Sequence, residues 1–293
     1  MNVIAKKYKI VQRYGKGQFS TVCRGICLNT NKSVAIKMER NTVEYPLLKH
    51  EVNILYYLAK QKCKAIPNVH YYGFHNPYTC LVMTFYNQGS LEQWIQNSYS
   101  PTVEEIWDWW NTAVEVLQHI HKAGIVHRDL KPAHFMRNEM SEWHLIDFGL
   151  ATTYLTVENE HIEEEYKPNL IGTPLYVSYY VHQGRDVTRR DDFLSLVYIA
   201  WSVFFQKTLG STPPSDIMSV QSTDIENPYN QWLLQEKTFA QLYRQLEEFT
   251  VDDNDQSKRS WIQHVDSALR HVESLSFTDR PNYKRFFVYS LSI

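Results

Sequence analysis

The 293-residue sequence has no apolar run long enough to cross a bilayer: its longest, 194–205, covers about 12 positions where a span needs roughly 20. That run reads as a buried helix. The N-terminal MNVIAKKYKIVQRY carries lysines but no apolar h-region, which predicts no secretory signal, no membrane attachment and a location inside the cell, in cytoplasm or nucleus. There are only four cysteines, Cys23, Cys27, Cys63 and Cys80, without the CxxC spacing or histidine partners of a zinc site, so reduced core thiols are expected. A net charge of -2 supplies no basic field for nucleic-acid or membrane phosphates. The acidic tract Asp252-Asp253-Asn254-Asp255 lacks the glycine and the closing glutamate of a calcium loop and reads as solvated.

What is abundant is aromatic surface. With 20 Tyr, 13 Phe and 8 Trp, the chain has the material for a sizeable core and little room for disorder. It carries no internal repeat, and its length suits one large or two closely packed domains.

The chemistry concentrates in 127–149, HRDLKPAHFMRNEMSEWHLIDFG. Asp129 and Asp147 lie about 18 residues apart, a spacing that suits a hairpin presenting both to one cleft. The apolar stretch 143–146 reads as a short strand that supports Asp147. These surroundings suggest phosphoryl transfer, which needs alignment of two oxygens and neutralisation of charge more than covalent help. Asp129 would orient a hydroxyl and accept its proton, and Lys131 would bring an ammonium to the transferring phosphate.

Upstream, 8–14 and then Gly15-Lys16-Gly17-Gln18-Phe19-Ser20-Thr21-Val22 read as strand, glycine-rich turn, strand. Two glycines let backbone amides approach phosphate oxygens. Val34-Ala35-Ile36-Lys37 is a strand ending in a lysine, which needs a carboxylate to hold it extended. Glu51 is the candidate, on a helix whose Leu47, Leu48, Val52, Leu55, Leu58 and Ala59 keep helical spacing. Two further strands are expected over 67–75 and 79–85. A capping box at 90–93 and another at 102–105 open helices, the second running to Lys122 and ending at Ala123-Gly124. His119 and His121 in its last turn are expected to serve packing and the helix dipole. The glutamate-rich 150–175 and the Ser/Thr/Pro/Asn-rich 208–230 read as loops, and 236–248 and 260–273 as amphipathic helices.

Taken together, the motifs resemble those of eukaryotic protein kinases. HRDLKPAH matches the catalytic loop H-R-D-L-x-x-x-N at every fixed position but the last, Asp147-Phe148-Gly149 matches D-F-G, and Val34–Lys37 matches V-A-I-K. The resemblance implies an α+β, two-lobed protein kinase fold: a small antiparallel sheet with one main helix over 1–86, a larger, mainly helical lobe over 87–293, and ATP in the cleft between them. It implies that Tyr14, Gly15, Lys16, Gly17, Gln18, Phe19, Val22, Ala35, Lys37, Met83 and Phe85 contact the nucleotide, with Met83 as gatekeeper. The catalytic set would be Asp129, Lys131, Lys37 and Glu51.

His134 stands where the family has the asparagine that binds a second magnesium. Asp147 and His134 are therefore the expected metal set, for Mg2+ or for Mn2+, which tolerates nitrogen ligands better. Two outcomes stay open: an active kinase, or a pseudokinase that binds nucleotide or scaffolds partners. The presence of Lys37, Glu51, Asp129, Lys131 and Asp147 together favours the first.

Within the family, Arg189-Arg190-Asp191-Asp192-Phe193-Leu194-Ser195-Leu196, His182-Gln183-Gly184 and 277–283 are similar to the casein kinase 1 and vaccinia-related kinase group. Val177-Ser178-Tyr179-Tyr180 takes the place of the commoner Ala-Pro-Glu. This resemblance covers about 8–290 and implies that Asp192 tethers its helix to the catalytic loop. Thr173 and Lys131 imply serine or threonine as acceptor. The partners expected are ATP and a protein substrate, with the chain a monomer. Casein kinase 1 relatives favour acidic substrates, but Leu175 replaces an arginine here and Glu158, Glu160, Glu163, Glu164 and Glu165 crowd the same segment, which predicts poor use of acidic peptides.

Overall fold

The alternation of apolar and polar residues in the N-terminal third produces a sheet. In the computed structural model, which describes residues 3–16, 20–43, 46–97, 101–205, 222–251 and 256–288, the strands are β1 (Val3–Ile4), β2 (Tyr8–Lys16), β3 (Thr21–Cys27), β4 (Ser33–Arg40), β5 (Val69–His75) and β6 (Tyr78–Thr84). Their order is β1-β2-β3-β4-β6-β5, every neighbouring pair antiparallel. Helix α1 (Leu47–Lys60) joins β4 to β5 and buries Leu48, Glu51, Val52, Leu55 and Leu58.

Because side chains alternate across a strand, register decides which residues share a face. Gly15 pairs with Val22, Val22 with Lys37 and Ala35 with Met83. These five therefore line one face. The other face builds a core from Ile4, Tyr8, Cys23, Cys27, Val34, Ile36, Met38, Cys80 and Val82, which accounts for three of the four thiols as small buried apolar groups.

Contacts divide the chain into two compact units, Met1–Leu91 with His134–Ala151, and Glu92–Ala133 with Thr152–Ile293. The second stretch of the first unit holds a hairpin of two strands, 135–137 and 143–145, described with the site below. In the second unit α2 (Leu91–Gln96) is followed by α3 (Val103–Lys122), opened by the expected capping box: the Thr102 hydroxyl accepts the Glu105 N–H and the Glu105 carboxylate accepts the Thr102 N–H. Strand β7 (Ile125–Val126) follows in this unit, after which the chain contributes to the first unit the hairpin strands β8 (Phe135–Arg137) and β9 (Trp143–Leu145). The segment expected to be loop over 150–175 begins instead with a strand, β10 (Thr152–Thr153), antiparallel to β7. A two-residue strand has no periodicity of its own; its partner defines it.

Helix α4 (Tyr179–His182) precedes α5 (Arg189–Phe205), in which every residue from Arg189 to Val203 is buried, as the apolar run required. The loop expected over 208–230 needs correction where it is described. Asn227 caps α6 (Pro228–Glu236), its side chain accepting the Tyr229 N–H, with Pro228 in the first turn. Asn-Pro signals a turn, but the same pair supplies a helix with a cap and a preset φ. The helix expected from 236 begins at Phe239 as α7 (Phe239–Val251), separated from α6 by Lys237 and Thr238. Helix α8 (Gln256–Glu273) completes the unit and packs Trp261 against Trp107 and Trp110. The acidic tract 252–255 lies outside the described residues. No described helix is long and apolar enough to cross a membrane.

Candidate active site

In the first unit, the Lys37 ammonium meets both oxygens of Glu51 at 2.8 and 2.9 Å and Oδ1 of Asp147 at 2.9 Å. Sheet register puts Lys37 on the face with Val22, Ala35 and Met83, and α1 turns Glu51 toward it from its inward stripe. Lys37 and Glu51 are only 5% and 3% exposed. Burial would push the ammonium toward neutrality; the two carboxylates outweigh it and raise the Lys37 pKa, so the lysine stays charged.

Asp147 sits just past β9 with φ 65°, a left-handed conformation that an aspartate tolerates better than most residues. Its side chain keeps 38% exposure, so one carboxylate of this buried network faces solvent. His134 Nε2 lies 3.6 Å from Asp147 Oδ2, and the Ile146 N–H donates to the His134 carbonyl across the base of the β8–β9 hairpin. The apolar stretch 143–146 thus supports Asp147 as expected. One tie has no sequence signal: His50 of α1 reaches the Ala151 carbonyl at 2.6 Å, joining the Glu51 helix to the segment after Asp147.

Of the nucleotide residues expected, Gly15, Val22, Ala35, Lys37 and Met83 come together on one sheet face. The rings of Tyr14 and Phe85 stack with centroids 6.0 Å apart, and Lys16 ends β2 opposite Thr21. Gly17, Gln18 and Phe19 lie outside the described residues. A groove of about 670 Å³ on the same unit, lined by Lys7, Arg24, Lys32 and Met140 among others, includes none of Lys37, Glu51 or Asp147. Among the described residues no group of three or more His, Cys, Asp or Glu side chains could hold a metal.

In the second unit, Asp129 is bracketed. Lys131 Nζ donates to Oδ2 at 2.9 Å, the Thr173 hydroxyl donates to Oδ1 at 2.6 Å, and Lys131 also reaches Thr173 Oγ1 at 3.1 Å. A carboxylate held by an ammonium on one side and a hydroxyl on the other is oriented to receive another hydroxyl proton. The backbone around it is anchored from α5: Asp192 accepts the N–H of His127 at 2.8 Å and of Arg128 at 3.0 Å, the tether expected. Arg128 has φ 68°, strained for a residue with a Cβ, and these bonds help hold it. Gly172 is required nearby, since a Cβ there would stand 2.5 Å from the Arg128 carbonyl.

His121 does more than pack. It bonds Asp192 through Nε2 at 2.9 Å and the Tyr283 hydroxyl through Nδ1 at 3.0 Å. Burial holds its pKa down, so the neutral ring donates Nε2–H to Asp192 and accepts from Tyr283. Burial would raise the Asp192 pKa, but His121 and the His127 amide prevail and lower it. Nothing local in the sequence points to this pairing across 71 residues.

The acidic segment is also less free than its composition suggests. Glu164 lies 3.4 Å from Arg190 and 3.7 Å from Arg185, and Glu165 bonds Lys167. Arg190, its guanidinium 3.7 Å from the Tyr180 ring centroid, and Asp191, bonded to Ser178, fasten α4 where the Ala-Pro-Glu motif is absent.

The sequence matches the protein kinase domain family over residues 8–271, a span that includes every strand of the large sheet from β2 onward, the Lys37–Glu51–Asp147 network and the Asp129–Lys131–Thr173 bracket. The α+β architecture, strands and one main helix first and a helical unit after, is that of the two-lobed kinase fold. By this match and this fold, the chain belongs to the protein kinase domain family.

Proposed function

We propose that this kinase transfers the γ-phosphoryl group of ATP to serine or threonine hydroxyls of a protein substrate. The observation that carries the acceptor class is the bracket of Asp129 by Lys131 and Thr173. In the reaction the bond between the γ-phosphorus and the β–γ bridging oxygen breaks, a bond to the substrate oxygen forms, and ADP leaves. Asp129 orients the hydroxyl and takes its proton. Lys131 counters charge on the transferring group, and Lys37, held extended by Glu51, counters charge on the α and β phosphates. The face with Gly15, Val22, Ala35 and Met83 is assigned to the nucleotide, with Tyr14 and Phe85 beside it.

The residues present fit magnesium carried in with the nucleotide. The partly exposed carboxylate of Asp147 is a hard oxygen donor, and Mg2+ in such sites takes one or two carboxylates and completes its shell with phosphates and water. When bound, it would supply charge neutralisation between the phosphates. Asp147 would hold it, with His134 a weaker second donor at 3.6 Å from the carboxylate. An imidazole there favours Mn2+ relative to the family's asparagine. Within the family, a casein kinase 1-like type is supported by the Arg189–Asp192 tetrad, whose last member anchors the catalytic loop.

The test is phosphate transfer from labelled ATP to a mixed protein substrate in Mg2+ and in Mn2+, with Asp129→Asn and His134→Asn beside the wild type. Transfer to serine or threonine that vanishes in Asp129→Asn, with His134→Asn shifting preference toward Mg2+, is expected. Wild-type inactivity reversed by His134→Asn would identify a pseudokinase instead.

A further inference from the structure

Lys237, the C-cap of α6, has no exposed surface. Its Nζ lies 2.7 Å from the carbonyl of Pro174, 2.7 Å from that of Val177 and 3.2 Å from His182 Nε2. Neither a surface lysine nor an ion-paired one explains this position. A fully buried amine is retained only where it satisfies groups that would otherwise be orphaned.

Those groups belong to one turn. The N–H groups of Tyr176 and Val177 both donate to the Thr173 carbonyl, at 2.8 and 3.0 Å, so 173–177 closes on itself and leaves the carbonyls of 174 and 177 directed at Lys237. At the head of that turn stands Thr173, whose hydroxyl is bonded to Asp129. His182 Nε2 lies 3.1 Å from the same Pro174 carbonyl. Burial pushes the pKa of both Lys237 and His182 well down. The amine has an N–H group for each of the two carbonyls, and His182 Nε2 lies within reach of both the amine and the Pro174 carbonyl, while His182 Nδ1 has no partner.

We infer that Lys237, seated against His182, is a positioning residue for the protein substrate: it holds the 173–177 turn so that Thr173 stays on Asp129 and the acceptor hydroxyl finds its place. This rests on the serine/threonine kinase reading above. A lysine that only stabilised the helical unit would affect the handling of both substrates together, whereas a turn clamp acts on the acceptor alone.

The experiment measures steady-state transfer to a serine or threonine peptide that the wild type uses, varying peptide and ATP separately, in Lys237→Met and His182→Gln. Lys237→Met keeps an unbranched apolar chain but offers the two carbonyls no donor. Its peptide KM is expected to rise about tenfold with the ATP KM unchanged, while His182→Gln, which leaves the lysine in place, gives a rise of about threefold. Equal changes in both KM values, or none, would overturn the inference. If Lys237→Met does not fold, His182→Gln decides by the same split. A wild type that transfers nothing to hydroxyl peptides fails at an earlier point: it removes the kinase reading, and the substrate role of Lys237 with it.

Discussion

Asp192 accepts the backbone N–H of His127 at 2.8 Å, so α5, buried along most of its length, also holds the segment that leads into Asp129. The same carboxylate takes the Arg128 amide and the His121 ring, and all three donors are buried or partly buried. Its three donors explain why a charged side chain is tolerated at 1% exposure.

Asp192→Asn is therefore expected to be far from conservative. An amide would turn an N–H2 toward a backbone or imidazole N–H, leaving at least one buried donor unmatched. A loss of about 2–3 kcal/mol in stability and about a hundredfold in kcat is expected. Denaturant unfolding beside kinetics checks it, and a variant with wild-type activity would show that the tether is dispensable.

Lys37 and Glu51 should behave as a coupled pair. Lys37→Met strands the Glu51 carboxylate in the interior and is expected to cost about 3 kcal/mol, whereas Lys37→Met with Glu51→Gln removes the stranded charge and costs less. Both should lose transfer by at least about a hundredfold, since neither offers a cation to the phosphates. A double variant less stable than Lys37→Met would contradict the buried-charge account.

Acid should loosen the fold through its buried histidines. Burial holds the pKa values of His70, His121, His144, His182 and His264 below the ordinary value. The unfolded chain takes up protons near pH 6.5 while the folded one does not, so stability is present above that pH and is lost as it falls. Asp191 opposes the trend: burial pushes its carboxyl up to about 6, so its contribution is present at low pH and lost as pH rises from about 4 to 6. Burial also raises the Glu51 pKa, which acts in the same direction as Asp191, but with five histidines against these two carboxylates the urea midpoint should drop between pH 7.5 and 5.5. A flat or rising profile over that interval would show that the buried rings are protonated in the folded state.

Acidic casein-type peptides should be poor substrates at low salt. Ion pairing of Glu164 and Glu165 reduces the repulsion, but Glu158, Glu160 and Glu163 remain exposed. Comparing kcat/KM for acidic and neutral peptides of equal length at two salt concentrations tests this; a preference for the acidic peptide at low salt would refute it.

The motifs of the candidate site were legible in the sequence because their spacing is local. HRDLKP, DFG and VAIK each lie within a single turn or strand, and α1 declares its inward face by periodicity, so the placement of Glu51 toward Lys37 followed from one helix and one strand. The long helices were legible for the same reason, down to the Thr102 cap and the all-round burial of α5. What tertiary structure alone decided are the partners of buried polar groups: His121 on Asp192, His50 on Ala151, Lys237 on Pro174 and Val177, Glu164 on Arg190. It also decided the short elements, the β7–β10 pair and the Asn227-capped helix where composition suggested only loop. The physical reason is the same for both. A pattern in sequence reports burial of a continuous face, whereas a hydrogen bond or a two-residue strand depends on a group far along the chain that only the packed interior brings within reach.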